Sequence, residues 1–117
     1  MRIFLIDTEN VHHHGLDGIE KLDDTDLVYV LSTPNFKKEK VEGDLLLKVM
    51  SSKANFHVDD LTSNGSKNYL DFQLCTILGQ LMERYVNAEA VIISKDNGYT
   101  AVMDYWKKNN RVINKAE

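Results

Sequence analysis

Asp7, Asp71 and Asp96 lie far apart in the chain, yet each falls where an apolar segment ends or a helix begins. Asp7 closes the run Ile3-Phe4-Leu5-Ile6, and Asp96 follows Val91-Ile92-Ile93-Ser94-Lys95. Asp71 falls in the first turn of the most strongly amphipathic stretch of the sequence. In an open parallel α/β sheet the carboxyl ends of the strands share one rim, and ligands bind in the crevice there. Carboxylates gathered on such a rim repel one another unless a cation holds them, so the pattern points to a divalent metal site. Singly, each acid has a plainer account. Asp is a common helix cap and turn former, which covers Asp7 and Asp96. Acids also favour a first helical turn, which covers Asp71. The convergence of the three on one rim is what the plainer accounts leave unexplained.

The elements that must position these acids alternate along the chain. Residues 2–7 read as a buried strand, 16–22 as a short helix and 27–32 as a second, nearly all-apolar strand. Residues 38–50 read as a helix with Val41, Leu45 and Val49 on one face, and 55–59 as a more exposed strand. The long helix spans 68–85, where Leu70, Leu74, Ile77, Leu78, Leu81, Met82 and Tyr85 form one wide apolar stripe. Residues 90–94 form a central strand, 99–109 a helix and 111–113 a short last strand. Strands separated by helices predict a mostly parallel sheet covered on both faces, a three-layer α/β/α sandwich.

The chain has 117 residues, 43% hydrophobic and 27% charged, which suits one compact soluble domain over 1–117. No apolar run approaches the roughly 20 residues of a membrane span, and the opening reads as a strand rather than a signal peptide. The expected setting is the cytoplasm, with no membrane association. The single cysteine, Cys75, excludes an internal disulfide and a Cys-rich zinc site, and reads as a helix-face residue. The net charge of −4, from 18 acids and 14 bases, argues against purely charge-driven nucleic-acid binding. It leaves room for a nuclease, because acids of a metal site inflate the negative count and a cation offsets them locally.

Three segments carry a resemblance to a known family. They are Phe4-Leu5-Ile6-Asp7-Thr8-Glu9-Asn10-Val11, then Gly65-Ser66-Lys67-Asn68-Tyr69-Leu70-Asp71-Phe72-Gln73-Leu74, then Ile92-Ile93-Ser94-Lys95-Asp96-Asn97-Gly98-Tyr99. Together they span nearly the whole chain, and it resembles a PIN-like ribonuclease domain of the bacterial branch close to the NYN group. The resemblance implies a PIN-like central sheet and a metal-dependent (endo)ribonuclease hydrolysing RNA phosphodiester bonds. It implies that Asp7, Asp71 and Asp96 are the catalytic residues and hold Mg²⁺ or Mn²⁺, ions that oxygen ligands suit better than zinc. Asn10 and Ser94 would support the site or bind weakly, and Lys67, Asn68 and Lys95 would contact single-stranded or structured RNA. Two departures stand out. Thr100 occupies the place where such domains often carry a further acid, and the fourth acid is open among Glu9, Glu39, Glu42 and Asp44.

Other features have ordinary readings. His12-His13-His14 reads as a loop near the rim, Lys37, Lys38 and Lys40 as a solvated helix start, and Pro34 as part of a polar loop. Tyr99, Tyr105 and Trp106 read mostly as core, and Gly98 as a permissive backbone angle between strand and helix. No glycine-rich nucleotide loop is present. A homodimer or a protein partner is compatible with the sequence. Two rivals stand beside the nuclease. One is a catalytically weakened PIN-like module that binds RNA or protein, which Thr100 and the low positive charge favour. The other is a phosphoacceptor receiver domain, imitated by Asp7, Asp59 or Asp60, Ser94 and Lys115. A receiver expects an acid at position 8, where Thr stands, and gives Asp71 no role.

Overall fold

The β-branched runs of the sequence become the centre of a five-stranded sheet. A computed structural model describes residues 1–61 and 68–116. The strands are β1 (Arg2–Ile6), β2 (Leu27–Ser32), β3 (Asn55–Asp60), β4 (Glu89–Ile93) and β5 (Ile113–Ala116). They are parallel throughout and ordered β3-β2-β1-β4-β5. The helices are α1 (Thr8–Val11), α2 (Pro34–Lys38), α3 (Gly43–Ser51), α4 (Tyr69–Arg84) and α5 (Thr100–Lys108), with 3₁₀ turns at His12–Leu16, Ile19–Lys21 and Asn97–Tyr99.

Alternation along the strands builds two cores. Ile3 and Leu5 of β1, with Leu31, Ala90, Ile92 and Ile113, pack under Leu70, Leu74, Leu78 and Leu81 of α4. Val102, Met103 and Trp106 of α5 close the same layer. Ile6, Val28 and Val30 face the other way, against Val11, Ile19, Phe36 and Val49. The result is the expected three-layer α/β/α sandwich. Among the described residues no helix is long and apolar enough to cross a membrane.

The strand order decides against a receiver domain. A receiver has the order 2-1-3-4-5, which puts its third strand beside its first. Here β3 is the outer edge, two positions from β1, so Asp59 and Asp60 lie away from Asp7. Asp60 instead pairs with Lys37. The order also fixes the crevice. The chain winds outward from β1 to β2 and β3, then returns through α4 to β4 on the opposite side of β1. The switch point is therefore between the carboxyl ends of β1 and β4.

Several elements differ from the sequence expectation. The helix expected at 38–50 is two helices, because Glu39 and Glu42 adopt extended backbone between them. Pro34 is a first-turn residue of α2, with the Thr33 hydroxyl accepting from Phe36 N at 3.1 Å. The stretch 16–22 is split between two 3₁₀ turns. The last strand starts only at Ile113, the final residue of the expected 111–113, and runs on to Ala116, because Arg111 is used in a turn.

Two tight spots in this frame yield predictions. A Cβ on Gly15 would lie 2.6 Å from both Ile6 Cγ2 and Val11 Cγ2. Those methyls belong to β-branched side chains with little freedom to move away. Gly15→Ala is expected to cost about 1–3 kcal/mol in denaturant unfolding, the usual range for overpacking. An unchanged midpoint would refute it.

At the start of β1, Arg2 grips buried Asp26 with two bonds, Nε to Oδ1 at 3.0 Å and a terminal nitrogen to Oδ2 at 2.7 Å. Asp23 N adds a third at 3.0 Å. The Arg2 bond, outweighing burial, holds the Asp26 carboxyl below its ordinary range. A carboxyl depressed in the folded state stabilises above its unfolded pKa, and that stability is lost as pH falls through the folded value. Stability should therefore decline below about pH 4. Asp26→Asn should flatten this acid limb, and equal limbs in both proteins would exclude Asp26 as its source.

Candidate metal centre at the sheet switch point

Each of the three aspartates reaches the switch point from a different element. Asp7 follows β1 directly and its backbone N–H bonds to Ile93 O of β4 at 3.0 Å, so it is fully buried between the two strands. Asp96 follows β4 and its Oδ1 accepts from Gly98 N at 2.8 Å, forming the turn into α5. Asp71 projects from the first turn of α4. One carboxylate oxygen from each lies within 4.8 Å of the others.

The environment of Asp7 is asymmetric. Its Oδ2 accepts three bonds, from Asn10 Nδ2 at 2.8 Å, Ser94 Oγ at 2.9 Å and the Tyr99 hydroxyl at 3.1 Å. Its Oδ1 is buried and has no hydrogen-bond partner. A buried carboxylate oxygen left bare is costly unless a cation meets it. The 4.8 Å spread is about twice a metal–oxygen bond of roughly 2.0–2.6 Å. The all-oxygen donor set, its spacing and the bare Oδ1 thus fit a hard divalent cation.

Ser94 ties two of the acids together. Its hydroxyl donates to Asp7 and accepts from Asp96 N at 3.0 Å. Tyr99 does the same for the third, with its oxygen 3.1 Å from Asp7 Oδ2 and 3.2 Å from Asp71 Oδ1. One phenolic proton serves two carboxylates. Burial, then the charges of Asp7 and Asp71, push the Tyr99 hydroxyl far above its usual pKa, so it stays a donor. Partial burial, then the Asp7 charge, raises the Asp71 carboxyl, with Asp96 adding to it.

The structure brings Asp7, Asp71, Asp96, Asn10 and Ser94 together in one cluster. Asn68, in left-handed backbone (φ 68°), sits at the N-terminus of α4, and Lys95 is exposed beside Asp96. Lys67 lies outside the described residues. Tyr99 is the member that sequence reasoning assigned to the core. Its ring is there, 2% exposed, but its hydroxyl belongs to the acids. The available signal was that a buried tyrosine needs a partner for its hydroxyl. Gly98 is also explained differently. A Cβ there would sit 3.1 Å from Asp96 Oδ1, and the one glycine with positive φ among the described residues is Gly18.

Among the fourth-acid candidates, Glu9 is the one whose carboxyl is raised by burial and then by Asp7 and Asp71. Glu39 is engaged by the histidines, 2.7 Å from His12 Nδ1 and 3.3 Å from His13 Nε2. The His13 contact is out of hydrogen-bonding alignment, and that ring stacks on Phe36 at 4.3 Å. Asp44 pairs with Lys48, and Glu42 supplies the residue before α3. Thr100 bonds Asn97 O at 2.9 Å within the turn.

An open parallel sheet with three carboxylates at its switch point defines an α/β domain equipped for a divalent cation. The chain belongs to the PIN domain family, whose sequence model matches residues 1–116. PIN domains are generally nucleases that use divalent metal ions and act on RNA. No curated protein and no solved structure matches the chain.

Proposed function

We propose that this PIN domain, as a single unit over 1–117, is a metal-dependent ribonuclease acting in the cytoplasm. Asp7, Asp71 and Asp96 are its catalytic residues and the ligands of Mg²⁺ or Mn²⁺. The observation that carries the reading is the bare, buried Oδ1 of Asp7 beside two further carboxylates. Bound there, such an ion supplies an activated water and neutralises charge growing on the scissile phosphate.

The chain's own residues do the positioning. Asn10, Ser94 and Tyr99 fix Oδ2 of Asp7, which leaves Oδ1 without a protein partner. The Ser94 hydroxyl keeps the β1 and β4 loops in register, and Tyr99 keeps α4 at a set distance from β1. Lys67, Asn68 and Lys95 take the phosphates on either side of the cut. Glu9, at the edge of the same field, supplies the fourth acid.

Purified protein incubated with a labelled single-stranded RNA pool tests this directly. Cleavage is expected with Mg²⁺ or Mn²⁺ and should stop with EDTA. A binding titration of Mn²⁺, followed by its free-ion spin resonance, should saturate at one or two ions. Cleavage that persists in EDTA, or a protein that binds no Mn²⁺, would sink the proposal.

A further inference from the structure

The acid cluster opens into a cleft of about 420 Å³ between the first turns of α4 and the start of α5. Its lining mixes two chemistries. The carboxylates of Asp71 and Asp96 share it with the apolar side chains of Phe72, Cys75, Ala101 and Val102. On α4 the lining positions 68, 71, 72 and 75 follow i, i+3, i+4, i+7, which is one stripe of the helix. It is distinct from the core stripe of Leu70, Leu74, Ile77, Leu78 and Leu81.

Phe72 is the oddity of this stripe. It is 71% exposed, so it adds little to the core, and it adjoins Asp71 in sequence. Scattered surface hydrophobics are ordinary. This one lines the cleft that leads to the carboxylates. Asn68 also lines the cleft, and its amide, which makes no capping hydrogen bond, offers both a donor and an acceptor.

An occupant matching both chemistries needs a flat apolar body joined to an anionic group that a cation can bridge to carboxylates. We infer that this cleft is a nucleobase subsite: the base next to the scissile phosphate stacks on Phe72 while that phosphate reaches the acid cluster. The inference rests on the ribonuclease reading and adds to it the part of the substrate that is gripped. A stack on one ring face accepts every base, so preference among the four bases is weak.

The test is cleavage kinetics in Mn²⁺ on a labelled single-stranded RNA 12-mer, mapped to its cut site. An abasic nucleotide is then placed on each side of that site in turn. One of the two abasic substrates should raise KM about tenfold with kcat nearly unchanged, as loss of one stack implies. Phe72→Ala should raise KM on intact RNA by a similar factor and add nothing on that abasic substrate. Phe72→Trp should restore KM, and RNA should quench its new emission. The exposed position predicts an unchanged melting temperature for both variants, which checks that they fold.

A Phe72→Ala enzyme with wild-type KM, or effects of mutation and abasic site that simply multiply, overturns the subsite while leaving the nuclease standing. A Phe72→Ala change seen only in sedimentation assigns the ring to a protein contact and also overturns it. A wild type that cuts no RNA with any metal removes the nuclease reading and the subsite together.

Discussion

Asp71→Asn is expected to lower metal-dependent cleavage by about a hundredfold or more while making the metal-free protein more stable at neutral pH. The first half follows from removing one of three charged oxygen donors, since even residues supporting metal ligands cost about 10–100-fold. The second half follows from the raised carboxyl of Asp71, caused first by burial and then by Asp7. An acid whose folded pKa lies above its unfolded value favours the folded state fully below the unfolded pKa. That contribution is lost as pH rises through the folded value. At neutral pH Asp71 therefore weighs against folding, and a neutral amide of the same shape relieves it. The amide oxygen can still accept the Tyr99 hydroxyl at the position now 3.2 Å away.

The thermal shift of the two proteins should consequently cross. Without metal the variant melts higher, and the gap narrows as pH falls and Asp71 takes its proton. With Mn²⁺ the wild type gains more, because a ligand that binds only the folded state stabilises it by mass action. A variant that cuts RNA at the wild-type rate would remove Asp71 from the site. One that melts lower at neutral pH without metal would show that its charge is neutralised by something other than a cation.

The parts of this arrangement that were legible in the sequence are those set by local pattern. Runs such as Val91-Ile92-Ile93 and the α4 stripe have periods that only a buried strand or an amphipathic helix satisfies. An acid directly after such a run, as Asp7 is, or a few residues beyond it, as Asp96 is, must sit at the sheet rim. Asp71 followed from its position in the first turn of α4. Less legible were features that depend on where elements meet. The Tyr99 hydroxyl joins Asp7 to Asp71 only because the turn Asn97–Tyr99 folds under α4. That Glu39 is engaged elsewhere depends on His12 and His13 approaching it from a turn 27 and 26 residues earlier in the chain. The break between α2 and α3 lies in extended backbone at Glu39 and Glu42, polar residues that a continuous exposed helix would equally tolerate.

Arg111 links the stability of the fold to the placement of the site, and Arg111→Ala should be among the most damaging substitutions outside the core. Its guanidinium donates to Met82 O at 3.0 Å, Tyr85 O at 3.0 Å and Ala88 O at 3.1 Å. Met82 is in the last turn of α4, Tyr85 follows its end, and Ala88 leads into β4. One planar cation thus gathers carbonyls from the last turn of α4, from Tyr85, which also accepts from Ala88 N at 3.1 Å, and from the lead into β4, beside a helix terminus whose dipole favours positive charge. Hydrogen bonds from a charged group contribute roughly 1.5–3 kcal/mol each, and three on one side chain are not additive, so a loss of about 2–4 kcal/mol is expected. For a domain of this size that corresponds to a melting temperature lower by about 10 °C. The local consequence is a frayed junction between α4 and β4. Because α4 carries Asp71 at its other end and β4 leads to Ser94 and Asp96, the same change should weaken Mn²⁺ binding although Arg111 touches none of the acids. Hydrogen exchange would locate the effect, with protection lost first at 82–90 and the β1–β2 pairing retained. A melting temperature within about 2 °C of wild type would mean that water replaces the guanidinium at those carbonyls without cost.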